Sequence, residues 1–404
     1  MSFRQTLSIK GMKPVLFSLF MASLGFGIIL PILPFYALSL GAEPFQLGML
    51  TATFALMSLI FAPFLGRLAE KKGRKNVILI CMAGYALSYL LFAFTNSLAM
   101  AFVARGLQGF FTAGIMTACV SLITDMSSES QRGKAMGLFG MTFSLGFIMG
   151  PAIGGFAAAI SVQTAFLLAA VLSIIGIAYV HSRLKEPPMK DADLGRSEAS
   201  PRSQKAALFE DIVQKEVSML THISSPLLLI FMSVFMVTFM IGGMEATLAL
   251  YTSERLSFTS AEVGLIFTFI GSVIMIVQYI GGSLVNKVGE IRLIRLGLAL
   301  SGLGFFLLVF ASNWISLLVP VAIFVTGNAI VFPSANSLLS KKATGDRGAV
   351  LGLATSFRSF GQFVGPLLAG FLYGINHSYA FLGLAVVILV YFVVFSIISM
   401  KKLK

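Results

Sequence analysis

Charge, cysteine and histidine are all scarce in this chain. Asp, Glu, Lys and Arg supply 11% of its 404 residues, against about 25% in a soluble domain. So thin a charge cover excludes folding around an aqueous surface. The two cysteines, Cys81 and Cys119, both sit in apolar runs, which excludes a disulfide framework and a cysteine metal site. The three histidines, His181, His222 and His377, fall near the ends of apolar runs or in loops. There is no H-E-x-x-H and no G-x-x-x-x-G-K-[ST], so neither zinc hydrolysis nor ATP drive is encoded here. No catalytic constellation emerges, and the chain reads as a non-enzyme without metal or cofactor.

What remains is mostly grease. Hydrophobic residues make up 57% of the chain, with Gly 39 and Phe 38. Apolar runs of about 20 residues, one bilayer thickness as helix, recur along its length. Small residues between such runs allow close helix packing. Breaking the chain at charge clusters and turn residues gives twelve candidate spans: 14–39, 45–65, 76–95, 98–124, 134–159, 162–182, 226–252, 259–283, 291–311, 314–338, 348–373 and 378–400. The runs lack the alternation of barrel strands, and backbone in lipid must satisfy itself, so they read as helices. The first run is too long for a signal-peptide core and lacks a cleavage site, so it reads as a retained span.

Lys and Arg are distributed unevenly. Placing the N-terminus in the cytoplasm puts 26 of the 29 on the inner side, leaving Arg255 outside and Arg105 and Arg358 within spans. The positive-inside rule then sets the orientation, with both termini cytoplasmic. The same spread over many loops argues against nucleic acid as the reason for the net charge of +13.

A polar segment, 183–225, divides the spans six and six, giving halves 1–182 and 226–404. Its first part, "KEPPMKDADLGRSEASPRSQK", reads as a disordered linker. Its second places Leu208, Phe209, Ile212, Val213 and Val217 at helical spacing, the pattern of an amphipathic helix on the membrane surface. The halves also repeat. Residues 131–156 and 346–371 share ten identities at an offset of 215, including Gly150-Pro151 with Gly365-Pro366. Near the start of each half an offset of 216 aligns Gly48, Gly66 and Gly73 with Gly264, Gly282 and Gly289. Two parallel six-span repeats describe one transporter architecture.

Four stretches carry a resemblance. "GRLAEKKGRK" from Gly66 resembles the loop 2–3 motif of the major facilitator superfamily, and "RGLQGFFTAG" from Arg105 its span-4 motif. "GFIMGPAIGG" from Gly146 resembles the span-5 motif of antiporters, and "LGFGIILPILP" from Leu24 the span-1 motif of twelve-span drug:proton antiporters. The chain is thus similar, over essentially its whole length, to bacterial multidrug efflux pumps of the quinolone-exporting type. The resemblance implies an all-α fold of two pseudo-symmetric six-helix halves in the cell membrane. It implies export of amphipathic, often cationic, compounds in exchange for protons, with protons, drugs and membrane lipid as partners and a monomer as the working unit. An exporter of a particular metabolite, sugar or lipid on the same fold is the alternative.

The resemblance also implies roles. Gly66, Glu70, Gly73, Arg74 and Asp125 would form a latch between the halves at the cytoplasmic side, with Glu70 in place of the family's Asp and facing the start of span 11 near Gly348. Gly146, Gly150, Pro151, Gly154 and Gly155 would let span 5 press on the other half. Arg105 would assist proton transfer.

An ionisable residue inside a span is a functional candidate by default. Of sixteen acids only Glu245, in span 7, lies well inside one, and it is the expected proton carrier. Gly242 and Gly243 beside it would loosen the helix. The second acid that related pumps carry in span 10 is absent, with Asn328 in that span instead. The expected cavity lies among spans 1, 4, 7, 10 and 11, with Tyr36, Gln108, Asn328, Arg358 and Gln362 as polar handles.

Overall fold

The structure, a computed structural model, describes residues 9, 11–186, 225–342 and 347–402. The expected amphipathic helix over 208–217 lies outside them. Among the described residues there are thirteen helices and no strand. They are α1 (Met12–Ile29), α2 (Leu33–Ser39), α3 (Pro44–Lys72), α4 (Arg74–Phe94), α5 (Leu98–Met126), α6 (Glu129–Ile160), α7 (Val162–Arg183), α8 (Ser225–Leu256), α9 (Ser260–Val288), α10 (Glu290–Leu308), α11 (Trp314–Lys342), α12 (Arg347–Ile375) and α13 (His377–Lys402). Helices α1 and α2 together are the expected span 1, and α3 to α13 are spans 2 to 12.

Span 1 is broken where the sequence reading had it continuous. Pro31 lacks an N–H, and its ring crowds the carbonyl one turn back. The chain bridges the break with short bonds, Leu30 N to Gly27 O at 3.3 Å and Ile32 N to Ile29 O at 3.0 Å. Eleven helices are long and apolar enough to cross a membrane. The long exception is α12, the expected span 11, which carries Ser356, Arg358, Ser359 and Gln362. It lies against α8 and α3.

The packing repeats between the halves. In the first, α1 lies on α6, α3 on α5, and α4 on α5 and α7. In the second, α8 lies on α12, α9 on α11, and α10 on α11 and α13. The repeat reaches single side chains. The Tyr36 hydroxyl donates to the carbonyls of Phe92 (3.0 Å) and Thr95 (3.1 Å). Tyr251, 215 positions on, donates to those of Leu308 (3.0 Å) and Ala311 (3.4 Å). Each ring also meets a phenylalanine edge-on, Phe166 for Tyr36 and Phe381 for Tyr251.

The two halves meet along α12 with α3 and α9 with α6. The contacts lie toward the end remote from the basic loops. A methyl on Gly155 would come within 3.1 Å of Gly264 Cα, and one on Gly370 within 3.1 Å of Gly48 Cα. The carbonyl of Pro151 packs on Gly264, and that of Pro366 on Gly48. Thr268 Oγ1 extends the α6–α9 contact by donating to Ile148 O at 3.0 Å. At the opposite, basic end, Gly133, Gly137 and Gly140 of α6 and Gly352 of α12 face open space. The far end is sealed and the basic end is open.

Candidate functional site

Two charges of opposite sign are buried between the halves. Glu245 on α8 is 7% exposed and Arg105 on α5 is 1% exposed. Glu245 lies one turn beyond Gly242, which packs on Pro366 beside the seal. The two form no direct ion pair. The Arg105 guanidinium is held otherwise. Its Nη1 donates to Gln108 Oε1 at 2.5 Å. Its Cζ lies 4.7 Å from the centre of the Phe54 ring and 5.8 Å from that of Phe26. Cation–π contacts of this kind gain strength as water is excluded.

Behind Arg105 is a polar nook. Tyr85 and Tyr89 of α4 meet edge-on with centroids 4.8 Å apart. Tyr85 donates to Ala22 O at 3.0 Å. Arg105 Nε, Gln108 Nε2, Tyr89 OH and Thr112 Oγ1 are buried without a hydrogen bond among the described residues. Buried polar atoms with spare bonding capacity are costly, and here they gather around one cation. The tyrosines were not legible as part of this site, because nothing in an apolar run distinguishes a tyrosine facing an arginine from one in packing.

On the other side of the hollow, Arg358 of α12 lines a cavity of about 390 Å³ with Val234, Phe332, Asn336, Ser337, Ser340, Ala354 and Thr355. Its Cζ lies 5.3 Å from the centre of the Phe332 ring. Gln362, one turn on, is half-buried.

Two expected handles point elsewhere. Tyr36 spends its hydroxyl on Phe92 and Thr95, as described above. Asn328 accepts from Ser301 Oγ of α10 at 3.2 Å and is buried there. Its position repeats that of Thr112 in the first half. The glycines beside Glu245 do not loosen the helix. The α8 helix runs unbroken through them, and Gly242 and Gly243 let Pro366 and Leu384 approach.

A fold of paired repeats with a seal at one end, an opening at the other and a buried acid between them can be compared with known proteins. The family model for the Major Facilitator Superfamily matches residues 15–366 and again 230–402. The chain belongs to the Major Facilitator Superfamily. Among its relatives, the class B tetracycline resistance protein of Escherichia coli is 33% identical over 365 residues, covering 88% of this chain and 86% of that one. The quinolone resistance protein NorA of Staphylococcus aureus (strain COL) is 29% identical over 365 residues, covering 89% of each. The crystal structure of a POT family transporter in complex with 5-aminolevulinic acid superposes with a TM-score of 0.81 at 14% identity, covering 98% of this chain and 97% of that one. As a superfamily member with these apolar helices, the chain is a multi-pass membrane protein.

The superfamily's loop motif sits at the basic end. Gly73 ends α3 and starts α4 at φ 89°, a left-handed backbone that favours glycine. Gly66 packs on Thr117 of α5. Arg74 Nη2 pairs with Asp125 Oδ2 at 2.6 Å, a contact within the first half. Glu70 is exposed and joins no ion pair among the described residues. The side-chain surroundings of Gly348, its expected counterpart, lie outside the described residues. The sequence reading missed Glu186. Its carboxylate accepts from the backbone N–H groups of Arg74 (2.6 Å) and Lys75 (2.8 Å). An acid at the free N–H groups of a helix start also complements the helix dipole.

The span-5 motif divides its labour. Gly146, Gly150 and Gly154 face α1 of their own half, against Ser23, Leu24, Gly27 and Ile28. Of the five residues singled out, Gly155 and the Pro151 carbonyl touch α9 of the other half, as does Ile148 between Gly146 and Gly150. The expected press of span 5 on the second half is therefore carried by two of the five residues.

Proposed function

We propose that this protein exports amphipathic compounds, cationic drugs among them, across a bacterial cell membrane in exchange for protons. The basic end faces the cytoplasm. Residues 1–182 and 226–404 are the two rocking units, and 183–225 joins them. One observation carries the reading: Glu245 of one half and Arg105 of the other are both buried, the acid one turn from the seal. A carboxylate there is buried and no described residue donates a hydrogen bond to it, so its charge is costly unless compensated. A proton from outside, or Arg105, compensates it. Rocking changes which is available, so proton release can be tied to which end is open. The relatives named above are drug-resistance proteins, which supports the drug class and the direction.

Each elementary charge carried inward across about 100 mV contributes roughly 2.3 kcal/mol. The arrangement needs no other energy source. The working unit is a monomer, since the repeat supplies both walls of the hollow. Drugs, protons and membrane lipid are its partners. Substrate chemistry is neither bond-making nor bond-breaking, and the protein is not an enzyme.

Uptake of a fluorescent drug into everted vesicles tests this. The expected result is accumulation that requires an acid vesicle interior. Accumulation unchanged when the pH gradient is collapsed would overturn the exchange. A specific metabolite exporter would accumulate none of a panel of unrelated drugs.

A further inference from the structure

The middle of the hollow carries more positive than negative charge. Within the spans stand two arginines, Arg105 and Arg358, and one acid, Glu245. Arg105 is already engaged by Gln108 and two aromatic rings. Arg358 is not. Among the described residues no carboxylate and no hydrogen bond holds its guanidinium, and only the Phe332 ring lies against it. An arginine keeps its charge and offers five donors in a fork that fits a carboxylate. Its cavity carries polar side chains, of which Ser337 already gives its hydroxyl hydrogen to Glu290. Asn336, Ser337 and Ser340 line it, while Val234, Phe332 and Ala354 supply an apolar wall. Glu290 is bonded to Ser337 of this cavity and paired with Lys341.

We propose that this cavity is a subsite for the anionic group of the cargo, and that the preferred cargo is therefore an amphiphile bearing a carboxylate, zwitterions included. The inference rests on the reading of the hollow as the path of exported compounds. Geometry suits a zwitterion. Val234, on the cavity wall, and Glu245 lie on the same helix eleven residues apart, about 16 Å along its axis at 1.5 Å per residue. A drug-sized molecule can lay its carboxylate on Arg358 and its apolar body on Phe332. Its cationic end then points toward Glu245.

The test is equilibrium binding to the purified full-length protein in nanodiscs, with no gradient present. The probes are a rhodamine with a free carboxylate and its methyl ester, read by fluorescence anisotropy. Wild type is expected to bind the acid at least tenfold tighter than the ester. Arg358→Gln is expected to weaken the acid about tenfold or more and leave the ester within twofold, with Arg358→Lys between. The unchanged ester affinity reports that the variant is folded. Should Arg358→Gln fail to fold, Asn336→Ala and Ser340→Ala together carry the test, with loss of at least threefold for the acid alone. Equal losses for both probes, no loss for either, or no preference in wild type would overturn the subsite. Discs of phosphatidylcholine alone and discs with added anionic lipid separate the two sources of an anion. A preference that survives anionic lipid supports a cargo site. One abolished by it assigns the cavity to a lipid headgroup and overturns the proposal. Gradient-driven uptake of the ester, measured separately, reports on the exporter reading, so either can fail without the other.

Discussion

Arg74 and Asp125 form an ion pair at 2.6 Å, and 216 positions on Glu290 and Lys341 form the same pair with the signs reversed. Both join the start of the third helix of a half to the end of the fourth. The side chains of the first pair are 20% and 34% exposed, so the pair is worth no more than about 1 kcal/mol. Its polarity is arbitrary, and only its complementarity matters. Arg74→Asp and Asp125→Arg are each expected to slow uptake up to about fivefold, and the double swap to restore most of it. Initial uptake rates at matched protein levels measure this. A swap no better than either single change would show that the sign itself has a role.

Glu70 stands clear of that pair while the basic end is open. As part of a latch it acts only when that end closes. Glu70→Gln is expected to leave the stability of the open form unchanged but raise its share of the population. Labelling of a cysteine at Gly137, on the open surface, by a maleimide from the basic side would then be faster. Unchanged labelling would remove Glu70 from the latch.

The seal at the far end is made of backbone. Gly155→Val or Gly48→Val places methyls against Ser260 and Pro366 carbonyls respectively. Overpacking costs about 1–3 kcal/mol, which shifts a two-state balance by roughly 5- to 150-fold. Uptake is expected to fall, while a cysteine at Thr268 becomes reactive to impermeant reagent from the far side. Low reactivity in these variants would mean the seal accommodates the added bulk.

Glu245→Gln keeps the shape of the site and removes its proton. Drug-for-drug exchange is expected to persist and pH-driven accumulation to vanish, as read with a pH dye and a labelled drug in proteoliposomes. Coupling at the wild-type level in that variant would place the proton elsewhere.

Tyr36 and Tyr251 act as matched anchors, each tying a helix end to the following hairpin. Tyr36→Phe and Tyr251→Phe are each expected to cost about 1 kcal/mol, one net hydrogen bond. Thermal unfolding would show equal drops in Tm and drug competition no change in preference. A shift in preference confined to Tyr36→Phe would return it to the substrate path.

The sequence shows the span count, the repeat and Glu245 because each follows from composition or period. Lipid forces apolar runs, and duplication preserves glycines wherever backbones touch. The same repeat, read one residue further, separates structure from function. Tyr36 and Thr112 have polar counterparts in the other half, Tyr251 and Asn328, and three of the four make structural bonds, Thr112 being the exception. Arg105, Glu245 and Arg358 stand opposite Val321, Leu30 and Phe143, and all three face the hollow. Facing directions were not legible. A helix in lipid has apolar residues all round, so Asn328 gave no sign that it turns toward Ser301. Glu186 was hidden for another reason, since it caps a helix more than a hundred positions away.

The polarity of α12 bears on how the protein is made. A segment carrying Arg358, Gln362 and two serines partitions poorly into lipid by itself. It must be received by helices already in place, and its neighbours α3 and α8 both precede it along the chain. The arginine that would greet the cargo therefore also imposes a sequence on biogenesis: the ribosome has to finish both cradle walls before the eleventh crossing can be threaded between them.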